Sequence, residues 1–210
     1  MPVAIFLLVG AITALGVYAI ERSESQRAEA QLHSEADAVA SALERRANAS
    51  SAYLRAGAAL IATLDQVPAP LFRRFVSELR LDADYRGAEG IGWAAIVPPG
   101  KVAAFNAALA ATAPAPAKFH PPLAPSQPYA VPVMFLQPDT ERNRRALGFD
   151  MYSDPTRRAA MIEAERIAQP TASGKVVLEQ EGVDGREPGF LIYMPVFTAD
   201  ELGRHLKGYI

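Results

Sequence analysis

The alternation of apolar and polar residues changes period several times along the chain, and each change predicts a different element. Val3–Ile20 is an uncharged apolar run of eighteen residues, which as a helix spans roughly 27 Å against a hydrocarbon core of about 30 Å. It predicts a transmembrane helix. A cleaved signal peptide is the alternative, because Val17-Tyr18-Ala19 offers small residues, although no basic residue precedes the run. From Ser23 to Leu64 the pattern narrows to a seam: Leu32, Ala36, Val39 and Leu43, then Leu54, Gly57, Ile61 and Leu64. Three-to-four spacing without an internal proline predicts a long helical stalk, on the order of 60 Å. Such a seam usually packs against a twin helix or against the chain's own domain, the alternative being an ordinary solvated helix with a modest seam. Pro68-Ala69-Pro70 ends the stalk. Leu71, Phe72, Phe75, Val76 and Leu79 then share one face of a second helix, with Arg73, Arg74 and Glu78 turned away.

Beyond this point extended and helical rhythms mix. Gly90–Val97 is apolar or small on both alternating faces and predicts a buried strand, with Trp93 as core. Val102, Phe105 and Leu109 predict a helix over Gly100–Thr112, and Val131–Leu136 reads as the next strand after a proline-rich connection. In Leu147–Leu178, Asp154-Pro155 is an N-cap with proline at the first helical position. The helix Arg157–Ala168 follows, with Ala159, Ile162 and Ile167 as its apolar positions, and Pro170 forbids its continuation. Ser173-Gly174 turns the chain into an extended Lys175–Leu178. Lys175–Glu181 and Gly189–Phe197 are predicted to pair as a hairpin with both faces covered. Pro195 argues for a bulge or an edge within it. Gly208-Tyr209-Ile210 reads as the opening of another strand, which suggests a fragment of a longer protein. The fold class is α/β, in the α+β sense, with mixed or antiparallel sheets.

Half of the 210 residues are hydrophobic, enough for a substantial core. Lys and Arg number 21 against 23 Asp and Glu, without long runs of either sign, so the electrostatic footprint of a nucleic-acid binder is missing. The absence of cysteine excludes disulfides, thiolate nucleophiles and cysteine-ligated metals. His33, His120 and His205 lie far apart in sequence and outside any metal-binding motif, and no hydrolase elbow, phosphate loop or dinucleotide fingerprint occurs. Glu179 and Glu181 alternate along an extended run, pointing apart rather than pairing as acid and base. Asn48-Ala49-Ser50 matches a glycosylation acceptor, a pattern common by chance. No catalytic residue, metal or cofactor is therefore expected. Asp150, beside the helix start, admits two readings: a carboxylate that accepts hydrogen bonds from a ligand, or one that closes a turn on nearby amides. The Arg157-Arg158 pair can hold an anion, but reads first as a solvated helix face.

Five short motifs then fall in order: G-I-G-W at Gly90–Trp93, P-V at Pro132-Val133, L-G-F-D at Leu147–Asp150, S-D-P-T-R-R at Ser153–Arg158 and F-L-I-Y-M-P-V-F at Phe190–Phe197. Together they resemble the CHASE sensory domain from about residue 70 to the end. One departure is Ala168, where the family commonly carries a Thr-Gly pair. The resemblance implies an extracytoplasmic ligand sensor flanked by transmembrane helices and coupled to a cytoplasmic histidine kinase or nucleotide cyclase. It also implies a long helix followed by two PAS-like modules, the second truncated here. In plant cytokinin receptors of this family an aspartate in the L-G-F-D segment contacts an adenine-type ligand. By that resemblance Asp150 is the hydrogen-bonding carboxylate, Thr171, Ala172 and Ser173 supply backbone contacts, and Phe149, Met151, Val133 and Phe135 form the apolar walls.

The expectation is a membrane anchor at 1–22, a helical stalk at 23–66 and a sensory domain at 67–210. Residues after about 22 lie outside the cytoplasmic (inner) membrane. The partners expected are a small organic ligand, the membrane, and a second copy of the chain through the stalk. An exported hydrolytic enzyme and a ligand-free dimerisation module are the competing readings.

Overall fold

A computed structural model of the chain describes residues 51–79, 90–178, 180, 188–200 and 203–210, with residues 10, 31, 33, 35–39, 41 and 42 from the preceding stretch. The chain divides into two units, Met1–Ser50 and Ser51–Ile210. The apolar run expected to cross the membrane lies outside the described residues except for Gly10, as do Asn48, Glu179 and Glu181. Among the described residues no helix is long and apolar enough to cross a membrane. In the first unit the described residues are helical and exposed, and Gln31 Nε2 donates to Glu35 Oε1 at 3.1 Å, one turn on.

The second unit opens with helix α1, residues 51–62, followed by α2, Ala69–Glu78. Strand β1 is Ile91–Ala95, α3 is Val102–Thr112 and β2 is Val133–Gln137. A short α4, Glu141–Arg144, is capped by Thr140, whose hydroxyl accepts from Asn143 N. Helix α5 is Pro155–Ile167. Six strands follow: β3 Thr171–Ala172, β4 Val176–Val177, β5 Pro188–Gly189, β6 Ile192–Tyr193, β7 Pro195–Asp200 and β8 Gly203–Tyr209. The main sheet has the order β2-β1-β8-β7, every neighbouring pair antiparallel, and β3–β6 and β4–β5 form two small antiparallel sheets.

Helices cover both faces of the main sheet. On one side Leu54, Ala58 and Ile61 of α1 and Phe72 and Val76 of α2 pack on Ile91, Trp93, Phe135 and Val196. Each buried Leu, Ile, Val or Phe among them contributes roughly 1.5–3 kcal/mol. The second half of the seam expected of a stalk, Leu54 to Ile61, thus packs on the chain's own domain. On the other side Ala160, Met161 and Ala164 of α5 pack with Ala94 and Tyr209, while Phe105 and Leu109 of α3 pack with Val133. Gly90–Val97 is accordingly apolar on both faces because both are covered.

Four expectations change. The buried positions of α5 are Arg157, Ala160, Met161 and Ala164, whereas Ala159, Ile162 and Ile167 face solvent, because the spacing of the former set is the one that follows a single helical face. Gly189–Phe197 is not one strand: β5 pairs with β4, β6 crosses to β3, and β7 joins the main sheet. The expected hairpin survives only as Val176↔Gly189 and Val177↔Pro188, and Phe190 is 63% exposed rather than covered. Strand β8 begins at Gly203, well before Gly208, and lies inside the sheet between β1 and β7. Pro195 does sit on an edge strand, and the register shifts between Val196 and Phe197.

Candidate functional site

The backbone around Asp150 is laced into its neighbours rather than extended as a strand. Gly148 has φ 84°, and the Lys118 carbonyl lies where a Cβ would stand, so this position requires glycine. His120 N donates to Gly148 O at 2.9 Å and Asp150 N to His120 O at 2.6 Å. On the other side Gly148 N donates to Val133 O at 2.8 Å, Val133 N to Phe149 O at 3.1 Å and Met151 N to Val131 O at 3.1 Å.

This lacing holds Asp150 wholly buried, at 0% exposure. Its Oδ1 accepts from Val131 N at 2.7 Å and Tyr152 N at 3.0 Å, and its Oδ2 accepts from Gln127 Nε2 at 2.6 Å. Gln127 Nε2 donates its other hydrogen to Tyr129 O at 3.0 Å. Asp150 therefore caps the 3-10 turn Met151–Ser153 and ties it to the incoming end of β2. Of the two sequence readings, turn closure is the geometry observed.

The other predicted residues divide. Phe149 and Met151 flank Asp150, and Met151 packs beside Val133 in the α3 cluster. The Tyr193 hydroxyl reaches Met151 Sδ at 3.8 Å. Thr171 and Ala172 pair with Tyr193 and Ile192, and the buried Ser173 accepts from Leu191 N through Oγ at 3.0 Å. Phe135 is not with them. Trp93 opposes Phe135 and Ala94 opposes Val133, so Met134 is an extra residue in β2, a bulge that sends Val133 and Phe135 into different clusters. Phe135 packs instead on Phe72 of α2, ring centroids 5.7 Å apart.

The residue that sequence reasoning placed on a solvated face is Arg157, which is 4% exposed. Asp154 begins α5, its Oδ1 accepting from Arg157 N at 2.8 Å, and this directs the Arg157 side chain inward in the first turn. The guanidinium carbon lies 4.7 Å from the Phe149 ring centroid, and Nη2 donates to Val177 O at 2.7 Å. Nε is buried with no hydrogen-bond partner. Arg157, Ala160, Met161 and Ala164 follow helical spacing, a signal masked by the charge at its first position. Arg158 differs: it lies 5.7 Å from the Tyr152 ring centroid, and its Nη1 donates to Tyr152 O at 3.1 Å.

Behind this group Tyr129 and Tyr152 pack with their rings tilted at 46° and centroids 4.8 Å apart, and Tyr193 meets Tyr209 edge-on at 6.1 Å. Burial pushes the hydroxyls of Tyr129, Tyr193 and Tyr209 well above the ordinary tyrosine range. The Arg157 charge opposes that rise at Tyr193. A separate groove of about 390 Å³ lies between α1 and β7, lined in part by Arg55, Ala58, Ala62, Met194, Phe197 and Arg204, and contains none of the predicted residues.

The family model of the CHASE domain matches residues 65–210, the stretch that contains every element from α2 to β8. The chain belongs to the CHASE domain family. CHASE domains are extracytoplasmic sensor domains of membrane receptors, so this domain's role lies in sensing and signal transduction. No curated protein matches the chain.

Proposed function

We propose that this CHASE domain binds a small organic molecule in a PAS-like pocket on the α5 side of its main sheet and passes the event to the stalk. The family match over residues 65–210 carries the reading. In it Phe149, Met151 and Val133 wall the pocket and the backbone of Thr171, Ala172 and Ser173 borders it. Asp150 serves by fixing that wall, since its oxygens are already held by Gln127 and two amides. The apolar run at Val3–Ile20 anchors the chain in the cytoplasmic membrane, and a kinase or nucleotide cyclase receives the signal inside.

The arrangement around α1 supports transmission. Lys207 of β8 donates to Ile61 O at 3.3 Å and to Leu64 O, at the end of α1 where carbonyls lack helical partners. Arg55 on α1 donates to Gln169, just beyond α5. The helix is thus tied both to a central strand and to the segment bordering the pocket. A ligand biases the stalk only by binding one arrangement better than another, typically by about 1–3 kcal/mol. The first half of the seam, Leu32, Ala36, Val39 and Leu43, pairs with a second copy.

The test is a thermal-shift screen of the full chain against purines, amino acids and organic acids. A ligand at 100 times its Kd is expected to add about 2.7 kcal/mol. A screen in which nothing raises the melting temperature favours the ligand-free dimerisation module instead.

A further inference from the structure

Arg157 is a cation buried with incomplete compensation. A buried charge is costly unless paired and hydrogen-bonded. Among the described residues Arg157 has no ion pair: its guanidinium meets the neutral Val177 carbonyl and the face of Phe149, its backbone N–H meets the cap at Asp154, and its Nε–H has no hydrogen-bond partner. A guanidinium offers five N–H donors in a planar fork that fits a carboxylate. Among the described residues one of them, on Nη2, is used.

We infer that Arg157 is an anion-binding subsite of the sensor, taking the carboxylate of a small organic monoanion at its Nε–Nη2 edge, where Nε has no partner and Nη2 holds the Val177 carbonyl that the ligand displaces. This deepens the function proposed above and rests on it. A single positive charge, with Arg158 engaged at Tyr152 and the acidic Asp154 beside it, suits a monoanion better than a phosphate dianion. The apolar body of the ligand lies along Phe149 and Met151, and Tyr193, close enough to sense the charge of Arg157, closes the far side.

Entry is by way of β4. Val177 is 56% exposed, β4 and β5 form a sheet of two residues each, and two arginines from outside it hold carbonyls in this stretch: Arg157 that of Val177 and Arg145 that of Gln180. A carboxylate outcompetes a neutral carbonyl for a guanidinium because charge-assisted hydrogen bonds are about twice as strong. Ligand binding therefore releases Val177 from Arg157, and β4 moves when the subsite fills.

The experiment compares matched probes on the full chain by thermal shift and calorimetry: benzoate with benzamide, and indole-3-acetate with indole-3-acetamide, beside the purines, amino acids and organic acids of the wider screen. The carboxylate of at least one pair is expected to bind tenfold or more tighter than its amide. Arg157→Gln, which keeps an N–H for Val177 but loses the charge, is expected to reduce that preference to about twofold, and Arg158→Gln to preserve it. Amides that bind the natural chain as well as the carboxylates overturn the subsite while the sensing function stands. Binding by neither probes nor screen removes the sensing function as well. Should Arg157→Gln not fold, hydrogen exchange on the natural chain decides: benzoate or indole-3-acetate must speed exchange at the amides of Lys175–Leu178. Unchanged or slower exchange there, with the carboxylate bound, refutes release of β4 by Arg157.

Discussion

Asp150 and Arg157 are both buried ionisable side chains, yet their surroundings treat them oppositely. Asp150 has three donors on two oxygens, so removing it strands Val131 N, Tyr152 N and the Gln127 amide together. Asp150→Ala is expected to cost about 3–5 kcal/mol in urea unfolding. Asp150→Asn keeps an acceptor for the two amides but sets an NH2 against Gln127, and is expected to cost about 1–2 kcal/mol. An Asp150→Ala chain as stable as the natural one would show that these bonds contribute nothing. The tyrosines give a pH prediction. Their folded-state pKa values are raised above the unfolded value near 10, so the stability linked to them is complete below about pH 10 and is lost as the pH rises toward the folded values. Tyr129, Tyr193 and Tyr209 should therefore ionise only as the domain unfolds in alkali, which tyrosinate absorbance followed beside circular dichroism would reveal.

At the scale of elements, α5 was legible at its ends and not on its faces. Asp154-Pro155 and Pro170 act through neighbouring backbone alone, and the helix runs from Pro155 to Ile167 as those signals require. Asp154→Ala should cost about 1 kcal/mol through the lost cap, measured by urea unfolding. Ala168, just past the helix, adopts φ 53°, a left-handed conformation that a Cβ disfavours. Ala168→Gly is therefore expected to stabilise the domain by about 1 kcal/mol, visible as a raised unfolding midpoint. The buried face was hidden because Arg157 occupies its first position, and a charge there reads as solvent-facing until the cluster around it is assembled. The apolar run Gly189–Phe197 failed for a related reason. Every residue in it suits a strand, but which partner each pair of residues joins depends on β3, β4 and β8, which lie elsewhere in the chain.

For the whole molecule, the main consequence is that α1 belongs to the sensory domain's core. Ile61 is 1% exposed and packs in the cluster shared by α2 and the main sheet. Ile61→Ala should cost about 2–5 kcal/mol and lower the unfolding of the entire second unit in one transition. A variant that loosens only α1, leaving the sheet's transition unmoved, would contradict this packing. With helices on both faces, one layer of strands separates α5 from α1, and β8 carries Tyr209 toward α5 and Lys207 toward the end of α1.

The order of apolar rhythms, the prolines and the caps determined by themselves that helices and strands alternate in an α+β domain, and the spaced motifs pointed to its family. These are local signals, written in a few consecutive residues. Tertiary structure alone decided that Asp150 caps a turn, that the Met134 bulge parts Phe135 from Val133, and that Arg157 is buried. Each depends on groups far apart in sequence, Gln127 with Asp150, Trp93 with Phe135 and Val177 with Arg157, and only packing sets those distances.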